Sequence, residues 1–306
     1  MTITERACRA VLIALIVLSG GLYLVRIGLY GWTLFALIPV VLGGLVTWVA
    51  CPPSMLAAAA TGALSVGAAS GLFLLTGMEG VVCTFMALPL VVPLGGLGGL
   101  LIYGMSPSRI GARGLTAFWL LPAATLTWDA TATPPVFAVR TAIEIAAPPE
   151  DIWEHVVTFS QLPEPKELLF RTGLAYPIRA RIEGSGPGAL RYCEFSTGAF
   201  VEPIEVWEAP RLLRFSVAKN PPPMQEWSPY GTIQPEHLRE YLVSRRGQFE
   251  LTSLPDGKTL LEGTTWYQHG LWPAWYWRWW SDAIIHRIHL RVLHHIGTLA
   301  EKETTQ

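Results

Sequence analysis

The second half of the chain opens with the stretch VRTAIEIAAPPEDIWEHVVTF, residues 139–159, and this stretch decides the fold prediction. Apolar and polar residues alternate up to Ile145, which is the pattern of a β-strand with one buried face. Two prolines and two acidic residues follow at positions 148–151. They predict the start of a helix, because proline fits the first helical turn and acidic side chains favour its positive end. A strand that runs directly into a helix is typical of the start of an α+β domain.

The rest of this half shows the same alternation, interrupted by turn residues. The predicted strands are 178–183, 189–196, 200–207, 212–217, 247–253 and 259–268. Asp256 and Gly257 separate the last two strands and favour a hairpin. A long final helix is predicted over 274–300. The proline-rich segment 220–235 has no periodicity, and loops of this length are often lids or ligand-contacting segments.

The opening stretch resembles the START-like, polyketide cyclase (SRPBCC) superfamily. Members begin with a strand and an Ala-Pro-x-x-x-Val/Ile-Trp turn into the first helix, and Ala147, Pro148, Ile152 and Trp153 match that pattern. The resemblance covers residues 139–301. It implies a helix-grip fold, an antiparallel curved sheet around a long C-terminal helix, with an apolar cavity between them. Ligands across the superfamily include lipids, sterols, polyketides and plant hormones. No catalytic residue is common to the superfamily, so the catalytic residues stay unknown.

The first half of the chain has the composition of a membrane region. Only eight charged residues precede Val139, although the whole chain is 15% charged and 51% hydrophobic. Because about 20 apolar residues cross a bilayer, four spans are predicted at 7–25, 29–50, 55–77 and 81–103, and a shorter fifth at 115–131. The fold class is therefore an α-helical membrane bundle of four to five helices plus an α+β domain. The predicted domains are 1–132 in the membrane, a linker at 133–138 (129–137 by composition) and 139–302.

Basic residues predict the orientation of this region. Arg6 and Arg9 lie at the start of the first span, and Arg109 and Arg113 follow the fourth, so all four lie on one side. Basic residues favour the cytoplasmic side, which predicts a cytoplasmic N-terminus. Five spans would then place the following domain outside the cytoplasm.

The membrane bundle is predicted to be a scaffold and not an ion pathway. No span carries a carboxylate, lysine or histidine at its middle, and ion pathways usually need one. Glycines at a spacing of four, Gly67 with Gly71 and Gly95 with Gly99, favour close helix packing. The bundle therefore looks like an anchor.

Cysteines and charge exclude several classes of protein. Cys8, Cys51, Cys83 and Cys193 form no CxxC pair, so neither a disulfide framework nor a zinc knuckle is indicated. Cys193 is expected to be a small buried side chain. The net charge of -1 gives no basic stripe for nucleic acid. No nucleophile elbow, phosphate loop or dinucleotide motif is present.

Three polar constellations remain in the second half. Asp282, His286 and His289 share one face of the last helix and are weak candidate metal ligands, but no fourth ligand is identifiable. They could equally form a solvated flank, so no metal and no cofactor are expected. The aromatic residues between Trp272 and Trp280 either dock at a membrane surface or divide between core and solvent. The third set is charged and consists of Glu194, Glu202, Glu205, Glu208, Glu262, Arg191, Arg245 and Arg246. These residues either bind a polar group inside a cavity or form cross-strand ion pairs in solvent.

The leading hypothesis is a membrane-tethered domain that binds an apolar small molecule, with a lipid as first candidate, and exchanges it with the bilayer. The alternatives are a cyclase or dehydratase that uses the same cavity, and a structural partner of other membrane proteins. A buried charged pair in the cavity would favour the enzyme, an open apolar cavity the binding protein, and a filled cavity the structural partner. The predicted ligand-binding residues are Trp153, Tyr192, Phe195, Trp207, Phe249, Trp266, His286 and Ile288.

Overall fold

The computed structural model describes residues 3–105, 112–231, 233, 235–238 and 242–304. The chain divides into two compact units. The helical unit contains Met1–Thr133, Glu226–His237 and Gly270–Trp277. The sheet unit contains Pro134–Gln225, Leu238–His269 and Arg278–Gln306. The division near residue 133 agrees with the predicted linker, but two later segments belong with the helices.

Five helices lie in the helical unit, close to the predicted spans. They are α1 (Ile3–Arg26), α2 (Ile38–Ala50), α3 (Met55–Leu75), α4 (Val81–Gly104) and α5 (Ala112–Thr131). Within the described part of the chain, three helical stretches are long and apolar enough to cross a membrane: Thr33–Ala50, Met55–Leu75 and Val81–Gly104. The prediction of four to five spans is therefore met only in part. Arg109 lies outside the described residues, as do the side chains of Arg6, Arg9 and Arg113, so the predicted orientation stays a prediction.

Helices α2 and α3 pack against α4 through glycines. A β-carbon on Gly43 or on Gly62 would overlap the backbone oxygen of Gly95. Contact between backbones is how apolar helices associate where no hydrophobic driving force exists. The predicted pair Gly95 and Gly99 lies in this packing. The pair Gly67 and Gly71 does not, because no heavy atom lies within 4 Å of their β-carbon positions.

The π-helical turn that leads into α2 is capped at its start by a distant residue. A π-helical turn, Thr33–Leu37, precedes α2. The Asp129 carboxylate accepts hydrogen bonds from the backbone N–H groups of Trp32 at 2.7 Å and Thr33 at 2.8 Å. Donors at the start of a helix have no partner inside it, and a carboxylate is a favourable acceptor for them. Asp129 was predicted to begin a polar linker, but α5 continues to Thr131 and uses this side chain as a cap.

The sheet unit contains one seven-stranded antiparallel sheet with the order β1-β7-β6-β5-β4-β3-β2. Its strands are β1 (Val136–Ile145), β2 (Pro177–Glu183), β3 (Leu190–Phe195), β4 (Gly198–Glu208), β5 (Leu212–Ser216), β6 (Leu242–Ser253) and β7 (Thr259–His269). Its helices are α6 (Pro149–Val157) and α7 (Leu168–Arg171), together with most of α8 (Ala274–Thr304). The predicted antiparallel sheet and long final helix are confirmed.

Helix α8 packs its apolar side on the sheet. Leu293 and Ile296 are fully buried in the main core cluster, together with Ile152 and Val156 of α6. A β-carbon on Gly297 would lie 3.3 Å from Ile145 of β1, so the absence of a side chain lets the helix approach the sheet closely. The helix is thus held against the sheet at its C-terminal half.

Candidate ligand-binding cavity

A cavity of about 120 Å³ lies between the sheet and α8. Strands β3 to β7 supply one wall, and α8 supplies the other through Ile285, Ile288, His289, Val292 and Leu293. Five phenylalanines line it: Phe159, Phe195, Phe200, Phe215 and Phe249. The cavity is therefore mainly apolar and aromatic, with a few polar groups at defined positions.

The guanidinium of Arg191 is the main polar group of the wall. This side chain is only 1% exposed. Its Nε donates to the backbone oxygen of Val157 at 3.1 Å, and its Nη1 donates a very short hydrogen bond to Glu202. Its Nη2 has no hydrogen-bond partner among the described residues. A buried donor without a partner is costly, so an acceptor that reached this nitrogen would be favourable.

Aromatic rings surround the same guanidinium. Its carbon lies 5.6 Å from the ring centre of Phe159, 5.4 Å from Phe215 and 5.6 Å from Phe249. Ring faces attract a cation, and this attraction strengthens where water is excluded. The rings and Glu202 together compensate for the burial of this charge.

Two acidic groups of the wall have raised pKa values. Burial raises the pKa of the Glu202 carboxyl, although the neighbouring Arg191 opposes the shift. Burial, with the charge of Glu202, raises the pKa of the Cys193 thiol to about 12. Cys193 is thus a protonated thiol at neutral pH, as expected of a small buried side chain.

His289 stands on the opposite wall in its neutral form. Its Nε2 lies 2.7 Å from the hydroxyl of Thr265, and its Nδ1 lies 3.1 Å from that of Thr141. Burial, with the neighbouring His286, lowers the pKa of His289 to about 4. Both partners are hydroxyls, which can donate or accept, so a neutral ring satisfies both contacts.

The predicted metal trio is divided among other partners. Asp282 accepts from the hydroxyl of Tyr267 at 2.5 Å and from Arg278 at 3.1 Å. His286 contacts Thr141 at 2.8 Å. In the part of the chain that the structure describes, Asp282, His286 and His289 form no cluster with metal-binding geometry.

The predicted ligand-binding residues occupy several places. Phe195, Phe249 and Ile288 line the cavity, whereas the other five are not among its lining residues. Trp153 and Trp207 pack edge to face, with ring centres 5.9 Å apart. Trp266 lies on β7 and His286 on α8. The binding role of all eight residues stays a prediction.

Tyr192 shows why the prediction missed part of the wall. It lies under Arg181, 4.0 Å from the guanidinium carbon to its ring centre, while Arg191, Cys193 and Phe195 line the cavity. Successive side chains on a strand point to opposite faces. Choosing Phe195 should therefore have excluded Tyr192 and selected Arg191 and Cys193, so the signal was present in the spacing.

Part of the predicted charged set forms ion pairs outside the cavity, whereas Arg246, which pairs with Glu205, is a lining residue. Glu194 binds Arg179 at 2.6 Å, and Glu262 binds Arg140 at 3.1 Å. Arg191 with Glu202 is the buried exception. The aromatic run is likewise divided, because Tyr276 and Trp277 are buried, whereas Trp275 and Trp279 are 66% and 64% exposed.

A seven-stranded antiparallel sheet packed on a long C-terminal helix, with a cavity between them, defines a helix-grip domain. Solved structures with this arrangement resemble the chain at low identity. A norcoclaurine synthase point mutant from Thalictrum flavum is 11% identical, covers 57% of this chain and 99% of its own, and has a TM-score of 0.37. The ZhuI aromatase/cyclase from Streptomyces sp. R1128 is 14% identical over 56% of this chain and 96% of its own, with a TM-score of 0.38. A protein from Nitrosospira multiformis is 15% identical over 56% of this chain and 100% of its own, with a TM-score of 0.34.

No family model and no curated protein matches the sequence.

Proposed function

We propose that this chain is a membrane-tethered protein whose cavity binds an apolar small molecule carrying one hydrogen-bond acceptor. The observation that carries the proposal is an aromatic cavity with the unpaired Nη2 of Arg191 in its wall. Phenylalanine rings favour an apolar body, and the guanidinium selects an oxygen at one end of it. An acceptor there would remove the cost of an unsatisfied buried donor.

The volume of the cavity limits the size of the ligand. A dry engineered cavity of about 150 Å³ holds benzene, and pockets for drug-sized ligands measure roughly 300–1,000 Å³. A cavity of about 120 Å³ therefore suits a single ring or a short part of an acyl chain. A lipid, the first candidate from sequence, would enter by one end and not as a whole molecule.

Exposed apolar side chains support the membrane tether. Leu56, Leu64 and Phe85 belong to two of the three spanning-length helices and are 80%, 74% and 65% exposed. Large exposed apolar surfaces mark contacts with a membrane or a partner, and helices of this length fit a bilayer. Hydrocarbon around these helices would remove that surface from water.

Native mass spectrometry of the gently extracted full chain tests the binding proposal. We expect a co-purified molecule of small mass that contains oxygen. Ile288→Trp should lose it, because the larger side chain fills the cavity. Arg287→Trp is the matched control, because Arg287 is the next residue on α8 and is exposed. Equal occupancy of the bound molecule in the two variants would contradict the proposal. A wild-type chain that neither co-purifies with such a molecule nor binds one when it is added would also contradict it.

The buried pair of Arg191 and Glu202 favours an enzyme as second candidate. A carboxyl with a raised pKa in a cavity is a candidate general acid or base. Glu202→Gln keeps the shape and the hydrogen bond to Arg191 but removes the titratable group. In an enzyme this variant should retain its bound molecule unconverted, whereas wild type carries a product of different mass. In a pure binding protein, both should carry the same molecule. The open cavity gives no support to the third hypothesis, a structural partner.

A further inference from the structure

The helical unit contains a second polar cluster, which the proposed function does not use. Glu79 precedes α4, and Cys83 lies in the first turn of that helix. Glu226 and His237 come from the segment Glu226–His237, which belongs to the same unit. Glu226 and His237 are 3% and 7% exposed, and Glu79 is 9% exposed.

The four side chains are in direct contact. His237 Nε2 lies 2.9 Å from the Cys83 sulfur, and His237 Nδ1 lies 3.4 Å from Glu79 Oε2. Glu226 Oε1 accepts from the backbone N–H of Cys83 at 3.1 Å. One ligand atom each from Cys83, Glu226 and His237 lie within 4.8 Å of one another.

Among the described residues, this cluster holds two carboxylates and no lysine or arginine paired with them. In the described part of the chain, no lysine or arginine forms an ion pair with Glu79 or Glu226. Glu226 Oε2 and His237 Nδ1 are buried and have no hydrogen-bond partner there. The contact between His237 Nδ1 and Glu79 is close enough for an ion pair but does not have hydrogen-bond geometry. Two buried carboxylates without a cation are unfavourable, so the cluster has the charge balance of a cation site.

We propose that Cys83, Glu226 and His237 bind one zinc ion. A thiolate, an imidazole and a carboxylate are a common zinc donor set. On tetrahedral zinc, the sulfur and nitrogen ligands stand about 3.6 Å apart, given bond lengths of roughly 2.3 and 2.1 Å. The His237 ring therefore moves outward by less than about 1 Å on binding. A fourth position remains for water.

Glu79 is a positioning residue in this site. Its carboxylate oxygen lies 3.4 Å from His237 Nδ1, and a small turn of the ring on metal binding would let it accept from Nδ1–H, which leaves Nε2 deprotonated and directed at the metal. The Tyr30 hydroxyl donates to Glu79 Oε1 at 2.5 Å and fixes that carboxylate in turn. Outer partners of this kind usually contribute 10–100-fold to metal affinity. The ion itself would tie the segment Glu226–His237 to the first turn of α4.

Zinc uptake by the purified full chain in detergent tests the proposal. The chain is first stripped with a chelator and then dialysed against zinc sulfate, and zinc per chain is measured by elemental mass spectrometry. We expect one zinc per chain in wild type and none in Cys83→Ser or His237→Gln. Glu79→Gln should bind about 10–100-fold more weakly. Cys193→Ser and His155→Gln are matched controls that should bind like wild type.

Gly80→Ala separates metal binding from folding without changing a ligand. A β-carbon on Gly80 would overlap the Glu226 carboxylate, so this side chain has to turn away from the ligand position. This variant should lose zinc, and melting of its metal-free form beside metal-free wild type measures the cost to folding separately.

Cobalt substitution gives a readout that needs no variant. Cobalt bound to wild type should show a thiolate-to-cobalt charge-transfer band in the near ultraviolet. A wild-type chain that takes up no zinc, a cobalt spectrum without that band, or full zinc occupancy in Cys83→Ser and His237→Gln would each overturn the proposal.

Discussion

At the scale of single residues, His289 makes stability depend on pH. Its pKa falls from 6.5 in the unfolded chain to about 4 in the folded one, so the unfolded state binds the proton first as pH falls. The sheet unit should keep this contribution above pH 6.5 and lose it progressively between 6.5 and 4, to a total of about 3 kcal/mol. Replacement by Gln should flatten that part of the stability curve. Thermal melting from pH 7.5 to 4, compared between wild type and His289→Gln, measures the difference.

Identical slopes in the two proteins would contradict this assignment. His294→Gln is the control, because His294 is exposed on the same helix. It should leave the slope of the wild-type curve unchanged.

Ile288 and Ile296 lie two helical turns apart on α8 but should respond differently to truncation. Ile296 is fully buried in the core, so Ile296→Ala should cost roughly 2–5 kcal/mol. Ile288 is only partly buried and borders free space, so Ile288→Ala should cost clearly less. Likewise Trp should be tolerated at position 288 and should strain the core at position 296. Near-ultraviolet circular dichroism on heating ranks the four variants, and a cost at 288 equal to that at 296 would show a packed core there.

The residues of the cavity could be predicted only in part. Phe195, Phe249 and Ile288 follow from apolar periodicity. Strand spacing places Arg191 on the same face as Phe195, but its burial could not be predicted from that spacing. The burial depends on Val157, Glu202 and three aromatic rings that other parts of the sheet unit supply.

At the scale of elements, the helix α2 should depend on a side chain from α5. Asp129→Ala removes the acceptor for two N–H groups at the start of the π-helical turn that leads into α2, and it should destabilise the helical unit by about 0.5–2 kcal/mol. Gly31→Ala should act in the same direction, because its β-carbon would overlap the Asp129 carboxylate. Thr127→Ala, at an exposed position of α5, is the control. The comparison uses melting of the full chain in detergent, and equal melting of Asp129→Ala and Thr127→Ala would remove the capping role.

The bounds of several helices and strands could be predicted, because the signals that set them are local in the sequence. Apolar runs, strand alternation and proline turns are all encoded within a few neighbouring residues, and the predicted ranges for β3, β7 and α4 differ from the structure by at most one residue at each end. Asp129 was assigned to a linker because its partners are 96 and 97 residues away. The cluster around His237 was missed for the same reason, since Cys83 is 154 residues distant.

At the scale of the whole molecule, the sheet unit should fold without the helices α1 to α5. Trp277 belongs to the helical unit, where its ring centre lies 4.9 Å from that of Phe35. A fragment of residues 134–306 should melt cooperatively, because the core of the sheet and α8 is internal to it. It should also bind detergent through the exposed Trp277, and Trp277→Ser should reduce that binding. If neither the fragment nor its Trp277→Ser variant melts cooperatively, folding of the sheet unit requires the helical unit.

The glycine contacts between α2, α3 and α4 have a genetic consequence. Every missense change of a glycine codon introduces a β-carbon, and at Gly43, Gly62, Gly95, Gly98 and Gly99 that atom would overlap a backbone oxygen or a neighbouring side chain. Conservative replacement does not exist at these positions, even though apolar exchanges elsewhere on the same helices cost little in hydrocarbon. In a library of all single-codon variants selected for expression, these five codons should be nearly invariant, while the codons for Gly67 and Gly71 drift freely.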